Sequence, residues 1–201
     1  MDLSLEPGRF ISEKEAIEMF QVSRTLIREA FIRLAQDELL ETIPQKGSFI
    51  SLIDLEHVEE SRFVREQLET ALARLACHEL SDEEIVTLKN LINLQQLCVE
   101  ARNYERLFEL DEQFHRTIFV GCRKERTWKM MEKMNTHFNR IRLLRLAVDF
   151  DWEIILNQHR EIVDAIEKRE PDRAEQAMRD HVRLIVLEKE KLKSRYPGYF
   201  K

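Results

Sequence analysis

Val22-Ser23-Arg24-Thr25-Leu26-Ile27-Arg28-Glu29-Ala30 is the stretch on which the fold turns. Ser23 has the side chain of a helix N-cap, and Ile27, Ala30 and Leu34 recur at helical spacing behind it, with Phe31 at the edge of the stripe. Upstream, Ser12 and Glu15 have the spacing of a capping box and open a short helix carrying Ala16, Ile17 and Phe20, which ends in a turn through Gln21 and Val22. Downstream, residues 40–43 and 48–53 are rich in β-branched and apolar residues and flank Pro44-Gln45-Lys46-Gly47, the pattern of a β-hairpin with a basic tip. Helix, turn, helix, hairpin is the order of a winged helix-turn-helix.

The composition changes beyond this segment. Pro7, Gly8, Pro44 and Gly47 fall in the first quarter of the 201 residues, and 48–120 contain neither residue type. A domain boundary is therefore expected near Ile53, dividing the chain into 1–53 and 54–201. With only 4 Gly and 4 Pro against 35% charged residues, the second part reads as long amphipathic helices, at about 55–79, 82–102, 104–121, 123–149, 151–169 and 172–193. Ser81 with Glu84 makes a further capping box, Gly121 closes a helix, Pro171 suits a first turn, and the tail from Tyr196 is expected to fray. The fold class is mainly α: a winged helix-turn-helix with a small hairpin wing, followed by an all-α bundle.

No apolar run reaches the length of a membrane span and no secretory leader pattern opens the chain, so a cytoplasmic protein is expected. Cys77, Cys98 and Cys122 are odd in number and far apart, which argues against a disulfide framework and a cysteine zinc site; they read as buried thiols.

On the second short helix, Arg24, Thr25 and Arg28 fall within roughly 100° of one another, away from the apolar stripe and at the N-terminal end that recognition helices present to duplex DNA. Arginine there can contact a guanine edge bidentately or clamp phosphate oxygens, Thr25 can donate a hydrogen bond, and Lys46 at the hairpin tip can reach the backbone. Charge opposes this reading: the net charge is −6, and residues 1–53 carry six basic against nine acidic side chains. Weak non-specific binding and reliance on dimeric, specific contacts follow.

In the helical part, Asp111 and His115 are four apart and share a face with Leu107, Phe114 and Ile118. His159 lies on a stripe with Ile155, Ile162 and Ile166, and His181 on one with Ala174, Ala177, Met178 and Ile185. A lone histidine on an apolar stripe is ordinarily a satisfied core residue. Four convergent groups are different, because an aspartate and three neutral imidazoles form a good site for Zn, Ni or Mn with positions left open for water or an anion. Arg65, in line with Val58, Ser61, Leu68, Leu72 and Leu75, is either an effector-carboxylate clamp or half of a buried ion pair. His137 shares a stripe with Met130, Met134, Ile141 and Leu144 and either lines the cavity or is structural.

Glu6-Pro7-Gly8-Arg9, Val22-Ser23-Arg24-Thr25, Arg28-Glu29-Ala30, Arg33-Leu34 and Lys46-Gly47-Ser48-Phe49-Ile50 resemble, in order and type, the DNA-binding domain of GntR-family regulators. The resemblance implies that Lys14, Ser23, Arg24, Thr25 and Arg28 face double-stranded DNA, with the wing around Lys46 and Gly47. It departs from the family pattern at Leu26 and at Gln21, which stands where glycine is usual, and the family has one more helix before the Pro-Gly segment. Asp111-Glu112-Gln113-Phe114-His115, His159-Arg160-Glu161-Ile162 and Met178-Arg179-Asp180-His181 are similar to the FCD ligand-binding domain of the FadR-type branch. That resemblance implies a divalent ion at Asp111, His115, His159 and His181, an organic-acid effector beside it, and a homodimer. Two other readings of the helical part exist. One is a metal-independent dimerisation scaffold; the other is a metal-dependent hydrolase, for which no general base is evident because Glu112 projects about 100° from Asp111.

Overall fold

The computed structural model describes residues 4–146 and 152–201, without side chains at 146 and 185–188. The expected helix junction near residue 150 and Ile185 on the His181 stripe lie outside the described residues.

The N-terminal elements are β1 (Phe10–Ile11), α1 (Glu13–Phe20), α2 (Arg24–Gln36), β2 (Leu40–Ile43) and β3 (Gly47–Ile50). Ser12 caps α1 by accepting from the Glu15 amide at 3.1 Å; the Glu15 carboxylate pairs with Arg9 at 2.5 Å, so only half of the expected capping box forms. Ser23 caps α2 through the Leu26 amide. Between the helices Gln21 takes the left-handed conformation, φ 55°, and its side-chain amide donates to the Glu18 carbonyl at 2.6 Å. Glutamine thus makes the turn usually left to glycine, at a steric cost of about 1–2 kcal/mol that the local hydrogen bond offsets in part.

The expected two-stranded wing is a three-stranded antiparallel sheet in the order β1-β3-β2, with Phe10 opposite Phe49 and Leu40 opposite Ile50. Two residues of β1 lie below the length at which alternation registers in a sequence. Gly47, φ 105°, is required at the tip: a Cβ there would sit 2.4 Å from the Phe10 ring. The small core joins Ile11, Ala16, Ile27 and Leu40, with Phe31, Val22 and Ile50 packed on it. Phe20 and Leu34, expected inside, are exposed, while Phe31 turns in.

The helical part comprises α3 (Leu55–Glu79), α4 (Asp82–Glu100), α5 (Tyr104–Gly121), α6 (Glu125–Met134), α7 (Thr136–Leu146), α8 (Trp152–Glu167) and α9 (Pro171–Arg195). Ser81 and Glu84 form the full reciprocal capping box of α4. One apolar core runs through α3, α4, α5, α6, α8 and α9, around Leu72, Leu88, Phe114, Trp128, Ile162 and Met178. The single helix expected over 123–149 is two, α6 and α7, separated at the fully buried Asn135. The Ser61 hydroxyl donates to the Met134 carbonyl at 2.5 Å, engaging an acceptor at the very point where the helix stops.

A second core lies at the junction with the head: Ile53, Val58, Phe138, Ile141, Leu144, Leu192 and Phe200. The tail does not fray. A 3-10 turn, Pro197–Tyr199, leads Phe200 onto Ile53; the Ile53 amide donates to the Tyr199 carbonyl at 2.7 Å, the Lys201 amide donates to the Ile53 carbonyl, and the Lys201 ammonium reaches Asp54 at 2.9 Å. Apolar burial of Phe200 and backbone pairing hold an end whose composition alone marks it as loose. Cys77 and Cys122 are buried thiols and Cys98 is half-buried; burial pushes the Cys122 thiol up to about 11.

Candidate metal centre and DNA-reading head

α5 sends Asp111 and His115 inward, α8 sends His159 and α9 sends His181, and one ligand atom from each lies within 4.8 Å of all the others. His115 Nε2 is 3.2 Å from His181 Nε2 and 3.8 Å from Asp111 Oδ2; His159 Nε2 is 3.5 Å from Asp111 Oδ1. Phe114 stacks on the His159 ring at 4.1 Å between centroids and locks its plane.

The far side of each ring is occupied. His159 Nδ1 is 2.8 Å from Gln95 Oε1, and the Gln95 amide nitrogen donates to the Leu110 carbonyl at 3.1 Å, which sets the amide's orientation. His181 Nδ1 is 3.1 Å from Gln158 Oε1, and His115 Nδ1 is 2.5 Å from Glu69 Oε2. Each of these contacts is attractive only with a proton on Nδ1. The three Nε2 lone pairs therefore converge beside a carboxylate, and His159 Nε2 is buried without a hydrogen bond among the described residues. Lone pairs 3.2 Å apart repel unless a cation or proton lies between them, so the donor set fits a divalent ion. Burial, with the Arg142 cation nearby, holds His159 down at about 3, and burial holds His181 well below its ordinary value, keeping both neutral and ligand-ready. Asp111 is held far below the usual carboxylate range: burial opposes ionisation, but the Arg142 guanidinium beside it outweighs it.

A cavity of about 50 Å³ adjoins the cluster, lined by Arg65, Asp111, His115, Arg142, Arg145 and His181 among others. Arg65 is half of a buried ion pair and also one of the residues lining the cavity. Its Nε donates to Glu69 at 2.6 Å, completing a buried ion pair, while Nη1 lines the cavity without a hydrogen bond among the described residues. Arg142 on α7 grips Asp111 with one Nη and Glu112 with the other, the latter at 2.5 Å, and its guanidinium lies 4.7 Å over Phe108. Glu69, Gln95, Gln158 and Arg142 are not singled out by the sequence, and Glu112 is weighed there only as a general base. Two of them left a signal: Glu69 follows Arg65 by four on the inward face of α3, and Gln95 continues the stripe of Leu88, Leu91 and Ile92.

His137 lies elsewhere. It lines neither this cavity nor its neighbour, but sits at the junction with the head, where its Nδ1 accepts from the Asp54 amide at 3.1 Å and its Nε2 is 3.7 Å from Glu38. Burial, reinforced by Arg140 and His57, lowers it to about 4. Because the folded value lies below the unfolded value of about 6.5, its contribution to stability is full near neutrality and is lost as pH falls from about 6.5 toward 4. The wild type is expected to lose about 2 kcal/mol from this group between pH 7.5 and 5, and His137→Gln to lack that component, as measured by urea unfolding at both pH values. An unchanged pH dependence in the variant would refute it.

In the head, Ser23, Arg24, Thr25 and Arg28 lie exposed on the first turns of α2, Lys14 is exposed on α1, and Lys46 is exposed at the wing tip beside Gly47. Glu13 on α1 bridges the two arginines, 3.0 Å from Arg24 Nε and 2.9 Å from Arg28 Nε.

A winged helix-turn-helix carried on a helical bundle is the architecture of a DNA-binding transcription regulator. The chain belongs to the GntR family: residues 1–50 match the model described as bacterial regulatory proteins, gntR family, and residues 60–184 match the FCD domain. It is 32% identical over 181 residues to the HTH-type transcriptional repressor RspR of Escherichia coli strain K12, covering 90% of this chain and 79% of that one. It is 30% identical to the Nta operon transcriptional regulator of Aminobacter aminovorans, covering 83% and 77%. Among solved structures, E. coli McbR/YncC shares the fold with a TM-score of 0.77 at 18% identity, over 96% of this chain and 91% of that one.

Proposed function

We propose that this regulator binds an operator through Arg24, Thr25, Arg28, Ser23 and the Lys46-Gly47 wing, with Lys14 on the flanking backbone, and that a small carboxylate effector bound beside a divalent ion in the helical domain sets its affinity for that operator. The boundary between the two functions lies near Ile53, and a homodimer supplies two heads for a two-fold operator. The observation that carries this reading is the convergence of three outward-anchored imidazoles and Asp111 beside a cavity lined by three arginines. Zn, Ni or Mn would be held by Asp111, His115, His159 and His181 and would supply open coordination positions for a carboxylate oxygen.

Metal analysis of protein purified without chelator or a nickel column, paired with thermal shifts across small carboxylic acids, tests it. About one divalent ion per chain and a stabilising acid are expected; neither would leave the helical part as a dimerisation scaffold.

Coupling between the sites is assigned to α7. One part of this helix holds Arg142 against the cluster; another holds Arg140, whose guanidinium donates to Ser51 Oγ at 3.0 Å, to the Ser51 carbonyl and to the Leu52 carbonyl at 3.3 Å in the segment leaving the wing. A shift of α7 is thereby a shift of the head's attachment. Arg140→Ala is expected to lose about 2–4 kcal/mol in urea unfolding, because three hydrogen bonds from a buried guanidinium to half-buried Ser51 and Leu52 go. It is also expected to abolish the effector's influence on DNA binding. Unaltered effector response in a folded variant would place the coupling elsewhere.

A further inference from the structure

The two ends of Arg142 suit it to more than ion pairing. It holds Asp111, whose carboxylate is one of the four candidate ligands, and it also stands between two cavities. The first, about 50 Å³, is polar and contains the imidazole cluster; the second, about 40 Å³, is lined mainly by apolar side chains, including Leu107, Phe108, Trp152 and Leu156. Both have Asp111, Arg142, Arg145 and Ile155 in their walls. Arg142 is thus one of the side chains that part the two cavities.

We infer that Arg142 is a displaceable plug: it competes with the divalent ion for Asp111, and its departure joins the two cavities into one site for a monocarboxylate with a short apolar chain. The inference rests on the metal-site reading above and deepens it. Competition follows from charge, because a guanidinium and a divalent cation at the Asp111 carboxylate repel each other, while Arg142 has the Glu112 carboxylate as a second partner. Arg142 leaves the shared wall with an ion pair intact, since the partly exposed Glu112 carboxylate, 2.5 Å from its other nitrogen, moves with it. The remaining cations, Arg65 and Arg145, line the polar half, where the acid's carboxylate is drawn; the apolar half takes its chain. By linkage, the acid and the ion strengthen each other's binding by the same factor.

The test is a Co²⁺ titration of the full chain followed by visible absorption, for wild type and Arg142→Gln. Removing a competitor should tighten Co²⁺ binding by about tenfold, within the usual range of couplings between sites. A guanidinium that merely orients Asp111 would instead make the variant bind equally or more weakly, and that result overturns the inference. Failure of the wild type to bind Co²⁺ at all overturns the metal-site reading together with it. Should the variant not fold, the wild type supplies the decision: the Arg142 Nε–H resonance should shift as one equivalent of Zn²⁺ is added, and an unmoved resonance refutes displacement. With the ion present, hexanoate should raise the melting temperature more than acetate does; equal shifts would exclude the joined cavity.

Discussion

Replacing His159 with alanine is expected to lower divalent-metal affinity by about 100-fold or more, at least the upper end of what loss of an outer-sphere partner costs. His159 is fully buried, its ring is clamped by Phe114 and its Nδ1 by Gln95, and its Nε2 faces the cluster without another partner. The variant should purify with little metal and should lose its thermal response to carboxylic acids. Operator binding without effector should persist, because Arg24 and Arg28 lie on a helix that packs through Ile27 into a separate core. Equal metal content in variant and wild type, measured on protein never exposed to a nickel column, would remove this site from the account.

The second large effect concerns the head. Arg24→Ala and Arg28→Ala are each expected to weaken operator binding roughly ten- to hundredfold and, where the contact is to a phosphate, to reduce the salt slope by about one unit. Both guanidiniums are exposed and both use Nε on Glu13, which leaves the terminal nitrogens of the fork for DNA. Glu13 is thus a built-in competitor for the same two cations. Glu13→Gln should move affinity in the opposite direction, strengthening non-specific duplex binding several-fold at low salt, as exposed ion pairs are weak and screened. Fluorescence anisotropy with operator and scrambled duplexes distinguishes these outcomes; loss of affinity in Glu13→Gln would show that the bridge orients the arginines rather than restraining them.

Much of this molecule is legible from local rules. Caps at Ser12, Ser23 and Ser81 mark helix starts because an N-cap acts within three residues, and the stripes through Asp111, His159 and His181 identify inward faces because helical periodicity is local. Errors arose where a distant residue decides. The break at Asn135 coincides with Ser61, 73 residues from the carbonyl it engages, and the ordered tail depends on pairing with Ile53. β1 exists only because β3 offers it a partner.

The sequence by itself determined that a DNA-reading head precedes a helical bundle and that one aspartate and three histidines face inward, since both depend on spacing along single elements. Only the tertiary structure decided that these four side chains meet, that Glu69, Gln95 and Gln158 turn their lone pairs inward, and that His137 belongs to the junction rather than the cavity. Which helix faces which is set by packing between residues far apart in the chain, and no local pattern encodes it.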